Sequence, residues 1–488
     1  MENTVGLPDS FIFLIKESLP EEISKKLISA LSSDSADVVL SPYVSVRFNE
    51  AKIKDIEILP DYLSGNIQKK IPWCNNSWYL KSRPSFSADP LFNSGAYYVQ
   101  DASSMYMELV WKAIFNSCSI DNPIRLLDLC AAPGGKSTLL SSLLQRSCVG
   151  DGYNKDYLLV ANEVIGSRAA VLAENMAKWG DINTIVTNND PSHFSKLKNY
   201  FDFIVVDAPC SGEGMFRKNS GAIGEWSLQN VKLCSGRQKR ILSDIWPSLK
   251  PGGILVYSTC TFNHLENDDN LNFIAENLGG DIITLNREIY EEIGLIETKG
   301  GGYQFLPGVS EGEGQYFAII RKSGQYYYNK RKEKYKSELK EEHRAEYVKL
   351  YPSILDKEIE LIKKHLRILS SGTIVASIKG KDIIPYSDLA LSIYRDKIED
   401  YLRLKYKFSY NTLNVSLEQA RKFLSKETLI LDNAPKGYLL LQYNGIGLGF
   451  VKNLGNRINN LLPNVRRIKP SLILFSFLVG PVCFSMFL

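Results

Sequence analysis

The sequence is poor in histidine and has no paired cysteines. It holds 4 histidines and 8 cysteines in 488 residues, and no Cys-x-x-Cys pair occurs. Common zinc-site spacings are thereby excluded, and no metal is expected. Net charge is only +4, too small by itself to imply a polyanionic partner. No secretory signal precedes Leu7, so a reducing, cytoplasmic setting with free thiols is expected. Two phosphate-binding fingerprints are also absent. Gly135-Lys136-Ser137 suggests a P-loop, but that motif needs glycine where Cys130 stands. The dinucleotide pattern Gly-x-Gly-x-x-Gly does not occur.

What is present is organised around Leu126 to Leu140. Leu126, Leu127 and Leu129 form a short apolar strand that ends in a Gly- and Pro-containing turn, and Lys136 to Leu144 reads as a helix. A strand, a glycine turn and a helix N-terminus form a place to hold a nucleotide-like ligand. Gly134 and Gly135 would let that ligand approach the backbone. Without a phosphate grip, such a site suits S-adenosylmethionine.

The chain is long enough for two to four domains, and its 44% hydrophobic content is ordinary for a globular protein. Helical spacing is expected near Phe11 to Leu19 and from Pro20 to Leu31, then a strand over Ser41 to Asn49. Arg47 on that strand suits either a phosphate contact or a solvated charge. Pro72 to Val99 is crowded with aromatics, including Trp73, Trp78, Tyr79, Phe86, Phe92, Tyr97 and Tyr98. Some could stack on unpaired bases, though most are expected in the core. Gln100 to Ser104 caps a helix over Met105 to Phe115.

Strands and helices then alternate, which predicts a parallel sheet flanked by helices. Strands are expected at Tyr157 to Asn162, Thr184 to Thr187, Phe201 to Val206, Ile254 to Tyr257 and Gln315 to Ile320. Helices are expected at Ser167 to Trp179, Leu228 to Leu249 and Glu266 to Leu278. Ligands of such sheets bind beyond the strands' carboxyl ends. Asp128, Glu163, Asp190, Asp207, Cys210 and Cys260 all fall there. Glu163 suits a ribose diol and Asp190 an adenine amino group.

A thiolate beside a methyl donor suggests methylation of a pyrimidine at carbon 5. That carbon becomes nucleophilic only after a thiolate adds to carbon 6. Two buried structural cysteines are the competing account.

The stretches CAAPGGK (Cys130 to Lys136), DAPCSGEG (Asp207 to Gly214) and YSTCT (Tyr257 to Thr261) resemble, in order and spacing, the motifs of the RNA cytosine-5 methyltransferase family. The resemblance spans roughly residues 1 to 323. It implies a Rossmann-like class I methyltransferase sheet of the α/β class, with an N-terminal α+β lobe and a C-terminal PUA-like β-rich module. It also implies Cys260 as the nucleophile, Cys210 as the residue that assists product release, and Asp207 and Lys136 close to the reaction. A swapped assignment, with Cys210 as nucleophile, stays open. S-adenosyl-L-methionine contacts are implied at Cys130, Ala131, Ala132, Pro133, Gly134, Gly135, Lys136, Glu163, Asp190 and Asp207. Pro72 to Met105 and Ala434 to Asn460 resemble the flanking parts of the ribosomal branch of the family. RNA is therefore the expected partner, small-subunit ribosomal RNA or the assembling subunit ahead of tRNA. A catalytically silent RNA-binding assembly factor is the alternative from another class.

The expected division is a lobe over 1–105, the methyltransferase domain over 106–323, a linker and first C-terminal module over 324–410, a PUA-like RNA-binding module over 411–470, and an apolar tail over 471–488. Gln325 to Lys336 reads as a linker or a basic edge facing RNA, and Glu338 to Leu369 as an exposed helix pair. Ala434 to Pro470 carries no acidic residue, while Lys436, Lys452, Arg457, Arg466, Arg467 and Lys469 are basic. With Gly445, Gly447 and Gly449 alternating, a small β-barrel with an RNA footprint is expected. The tail, interrupted by Gly480-Pro481, is not expected to anchor the chain in a membrane.

Overall fold

In the computed structural model, residues 6–32, 44–54, 59–115, 123–149, 156–324, 338–344, 346–380 and 382–469 are described. The basic stretch Gln325 to Lys336 and the tail Ser471 to Leu488 lie outside the described residues. Among the described residues, no helix is long and apolar enough to cross a membrane.

The centre is a ten-stranded sheet. Ile124–Asp128 lies in its middle, parallel to Tyr157–Asn162 on one side and to Phe201–Asp207 on the other. Thr184–Thr187 extends the first side and Leu249–Thr259 the second, both parallel. Gln315–Lys322 then runs antiparallel to Leu249–Thr259. The inner strands are apolar on both faces: Tyr157–Asn162 and Thr184–Thr187 are buried throughout. Continuous apolar runs of this kind belong to parallel strands covered by helices. The chain moves outward in opposite directions from Ile124–Asp128, so a crevice opens beyond its carboxyl end.

Helix Gly135–Val149 follows the first strand, and helix Gly166–Trp179 follows the second. Gly180 ends the latter at φ 89°, a left-handed cap that a side chain would strain. Helix Leu228–Ile245 is shorter than its apolar pattern predicts, and a strand already begins at Leu249. Pro247 explains the early stop, because proline disfavours a helical residue before it and donates no N–H. The expected helix from Glu266 starts at Asp268 and changes to a π-turn at Ile274–Leu278.

The N-terminal helices Asp9–Ser18 and Glu21–Leu31 pack against the Phe216 to Trp226 region. Beside them stands a four-stranded sheet ordered Ile67–Lys70, Ser77–Leu80, Val44–Phe48, Tyr97–Val99. Trp73, Tyr79, Phe86 and Tyr97 are buried, so these aromatics build the core rather than a base-stacking face. The lobe shares one core with the C-terminal module: Val46, Phe48 and Tyr97 cluster with Phe423, Leu439 and Leu441.

The expected helix pair at Glu338 to Leu369 is not formed. Leu339–Arg344 and Tyr347–Pro352 make a β-hairpin, Leu355–Lys363 is one helix, and Ile368–Ser371 is a strand. Val348, Leu350 and Tyr351 are buried against neighbours distant in sequence, which overrides the helix-like charge pattern. Ile368–Ser371 adds an edge to the central sheet by pairing with Thr184–Thr187. Instead of a closed barrel, the last module is a four-stranded sheet ordered Asn411–Asn414, Gly437–Tyr443, Ile446–Asn453, Ile458–Asn460. Gly447 meets the expected close approach, since a Cβ there would lie 2.2 Å from the Ala390 carbonyl oxygen.

Candidate active site

The carboxyl end of Phe201–Asp207 and that of Leu249–Thr259 are neighbours, with Asp207 opposite Ser258. Each strand runs directly into a loop bearing a cysteine. The Sγ atoms of Cys210 and Cys260 lie 3.0 Å apart. The hydrogen bond to Cys260 and then burial push the Cys210 thiol well above its ordinary range. Either sulfur can donate the hydrogen bond that joins the pair.

Asp207 accepts from Lys136 Nζ at 2.7 Å, from Ser258 Oγ at 2.7 Å and from Gln315 Nε2 at 3.1 Å. The Lys136 ammonium lies over the Tyr106 ring, 5.7 Å from its centroid. The glycine turn is thus joined to the thiol end of the sheet through one ion pair.

Two buried glutamates hold the cysteine loops. Glu266 accepts from Ser211 N, Gln238 Nε2 and Asn263 Nδ2. Glu213 accepts from Trp226 Nε1, Phe262 N and Asn263 Nδ2. Asn263 bonds to both carboxylates, so the loop after Cys210 and the loop after Cys260 are tied together. Sequence reasoning missed this brace. Glu213 lay in a quoted motif, but nothing local marked Glu266 or Asn263.

The turn itself is held from several sides. Ser137 Oγ donates to Asp128 Oδ2 at 2.6 Å, while the buried Asp128 Oδ1 has no hydrogen-bond partner. Burial pushes the Asp128 carboxyl up to about 7. Arg168 donates to the Ala132 carbonyl, Asn175 to that of Pro133, and Ala131 N to Asn162 O. Arg47 donates to the carbonyl of Gly135, to Thr138 Oγ1 and to Gln100 Oε1. It is 2% exposed, so it clamps the lobe to the turn instead of reaching a phosphate.

Gly134 has φ 115°, and a Cβ there would lie 3.3 Å from Leu172. A Cβ on Gly135 would touch Tyr98 and Gln100 at 3.5 Å. These glycines thus serve turn geometry and packing more than ligand approach. Burial raises the Cys130 thiol out of the reactive range.

Glu163 is buried at the end of the second strand; its Oε1 accepts from Ile165 N, and Oε2 lies 3.6 Å from Arg168. Asp190 caps the turn Pro191–Lys196 through Ser192 N and pairs with Arg240 at 3.5 Å. The Asp128 carboxylate oxygen that lacks a partner, at the end of the first strand, is the kind of polar group an adenosine-bearing methyl donor would satisfy. A cavity of about 460 Å³ lies elsewhere, against Thr184, Glu342, Lys349 and Ser371, and does not include the thiols.

Of the C-terminal basic residues, Arg466 is not available to RNA. Its side chain is 7% exposed and bonds to Glu174 at 2.6 Å and Asp388 at 2.7 Å. Arg467 Nε donates to the Ser425 carbonyl. Lys436 and Arg457 are exposed.

A parallel five-stranded centre with a switch point, antiparallel strands on both flanks and a glycine turn after the first strand define a Rossmann-like methyltransferase. The solved structures agree in fold: a methyltransferase homolog protein from Pyrococcus horikoshii has TM-score 0.51 at 25% identity, covering 65% of this chain and 96% of that one. The structure of NSun6 from Pyrococcus horikoshii with SFG has TM-score 0.51 at 18% identity, covering 66% and 99%.

The chain belongs to the RsmB/F methyltransferase family. The family described as 16S rRNA methyltransferase RsmB/F matches residues 119–321, the N-terminal domain of 16S rRNA methyltransferase RsmF matches 7–102, and the methyltransferase RsmF PUA domain matches 410–468. Relatives named ribosomal RNA small subunit methyltransferase F include that of Aliivibrio fischeri strain MJ11, 28% identical over 95% of this chain and 98% of its own length. That of Shewanella piezotolerans is 29% identical over 93% and 96%.

Proposed function

We propose that the protein transfers a methyl group from S-adenosylmethionine to carbon 5 of a cytosine in RNA. The observation that carries this reading is the pair of sulfurs 3.0 Å apart beside an aspartate paired with lysine. Carbon 5 of cytosine is a poor nucleophile until a thiolate adds to carbon 6, which breaks the double bond between them and makes carbon 5 enamine-like. The Cys260 thiolate adds to carbon 6, and Asp207 with Lys136 holds the ring and balances the charge pushed into it. Bound S-adenosylmethionine supplies an electrophilic methyl carbon, held by the turn Cys130 to Lys136 with Glu163 and Asp190. Carbon 5 afterwards gives its proton to water in the site, that electron pair re-forms the double bond to carbon 6, and the bond to Cys260 breaks with the sulfur leaving as a thiolate. Cys210, protonated and hydrogen-bonded to that sulfur, assists the departure.

The substrate we infer is small-subunit ribosomal RNA, met free or in the assembling subunit in the cytoplasm. Support comes from the names of relatives that match along nearly their whole length. The lobe over 1–105 and the module over 411–470 would grip RNA around a methyltransferase domain over 106–323, with a further module over 324–410. Bisulfite mapping of ribosomal RNA from a deletion strain tests this. Loss of one modified small-subunit cytosine is the expected result; loss confined to tRNA overturns the substrate.

A further inference from the structure

The carboxyl end of the third strand is not finished by the methyltransferase domain. Asn189, 6% exposed, stands next to Asp190. Its main chain is held from inside the domain: Asn189 N donates to Asn162 Oδ1 at 3.1 Å, and Asn162 Nδ2 donates to Asn189 O at 3.0 Å. Asn162 Nδ2 also donates to Leu129 O, just before the glycine turn. One buried amide therefore joins the ends of the first, second and third strands.

The side chain of Asn189 points the other way, to the C-terminal unit. Its Nδ2 donates to Arg367 O at 3.0 Å, and its Oδ1 accepts from Arg367 N at 2.9 Å. Asn188 N donates to the same carbonyl at 3.1 Å. The amide of Asn189 thus imitates a peptide group and continues the ladder between Ile368–Ser371 and Thr184–Thr187 beyond its last residue pair, Ile368 with Thr187. Both polar atoms of this buried side chain are used on one backbone residue from outside the domain.

We infer that Asn189 is a positioning residue for the methyl-donor site, and that the segment around Arg367 completes that site. This rests on the proposed S-adenosylmethionine reading. The amide fixes the loop bearing Asp190, where the adenine end of the donor is placed. The C-terminal unit therefore contributes to cofactor affinity as well as to the fold.

The test is calorimetric binding of S-adenosylhomocysteine to the full chain. Asn189→Ala removes both bonds to Arg367 while Asn162 still holds the main chain, and about tenfold weaker binding is expected. Asn189→Asp keeps the acceptor for Arg367 N but sets a carboxylate oxygen against the Arg367 carbonyl oxygen, so a loss at least as large is expected. Glu358→Gln is the control. It weakens the contact of the same unit with Arg125, which begins the first strand at the opposite end of the sheet. Its affinity should stay at the wild-type value. Unchanged affinity in both Asn189 variants, or an equal loss in Glu358→Gln, overturns the inference. A wild-type chain that binds no S-adenosylhomocysteine overturns the cofactor reading and this inference with it.

Discussion

Cys210 and Cys260 stand with their sulfurs 3.0 Å apart on loops that leave two adjacent parallel strands. Only one of two such close thiols ionises readily, and the other keeps its proton. The pair therefore has unequal members, and single substitutions should have unequal outcomes. Cys260→Ala should abolish methyl transfer, by on the order of 10³-fold or more, while retaining S-adenosylhomocysteine binding. Cys210→Ala should let transfer proceed but stall as a covalent RNA adduct, seen as a denaturant-resistant shift in gel mobility. Full activity in Cys260→Ala would mean that another residue is the nucleophile.

Lys136 and Asp207 form the second relationship that activity should depend on. The lysine side chain is 9% exposed, and the aspartate also accepts from Ser258 and Gln315. Lys136→Met preserves most of the side-chain volume but leaves Asp207 without its cation. Turnover should fall on the order of 10²-fold, with little change in RNA affinity. Gln315→Ala, which removes one of the neutral donors, should have a smaller effect of about tenfold. Single-turnover rates at saturating donor measure both.

Asp128 gives the site a pH-dependent cost. Burial raises its folded pKa to about 7, above the unfolded value near 3.8. The folded state then binds more protons than the unfolded state between those values. Stability is highest below the unfolded pKa and is lost as pH rises through about 7. The loss is on the order of 4 kcal/mol when complete. Asp128→Asn keeps an oxygen for Ser137 and removes the charge. Its apo form should melt higher than wild type at pH 8, with the difference shrinking by pH 5, while donor binding weakens. Parallel melting curves of the two proteins across that range would refute this account.

How far the sequence revealed these features follows the range of the contacts. The strand, glycine turn and helix at Ile124 to Val149 are local, so residue order alone predicts them. The thiols could be aligned because buried parallel strands deliver their loops to one end of a sheet. The C-terminal unit resisted. Glu338 to Leu369 has charges of both signs spaced like an exposed helix pair, yet Val348 and Leu350 are drawn into a hairpin by partners far along the chain. Ile368–Ser371 becomes a strand only because Thr184–Thr187 offers an unpaired edge. Asn189 and Glu266 look like ordinary polar residues until the fold buries them.

Arg466 illustrates the same difficulty with charge and supports a final prediction. In sequence it is one of several basic residues in an acid-free stretch, which suggests an RNA contact. In the structure Glu174, from the helix after the second strand, and Asp388 both pair with its guanidinium. Substitution by Met would leave two poorly solvated carboxylates facing each other. Arg466→Met should therefore destabilise the chain by about 3 kcal/mol, visible as a lower denaturant midpoint. Lys436→Ala and Arg457→Ala remove exposed charges and should leave that midpoint within about 0.5 kcal/mol, while weakening RNA binding and reducing its salt dependence. If Arg466→Met kept its stability and lost only RNA affinity, the buried ion pairs would not be what seats the C-terminal module.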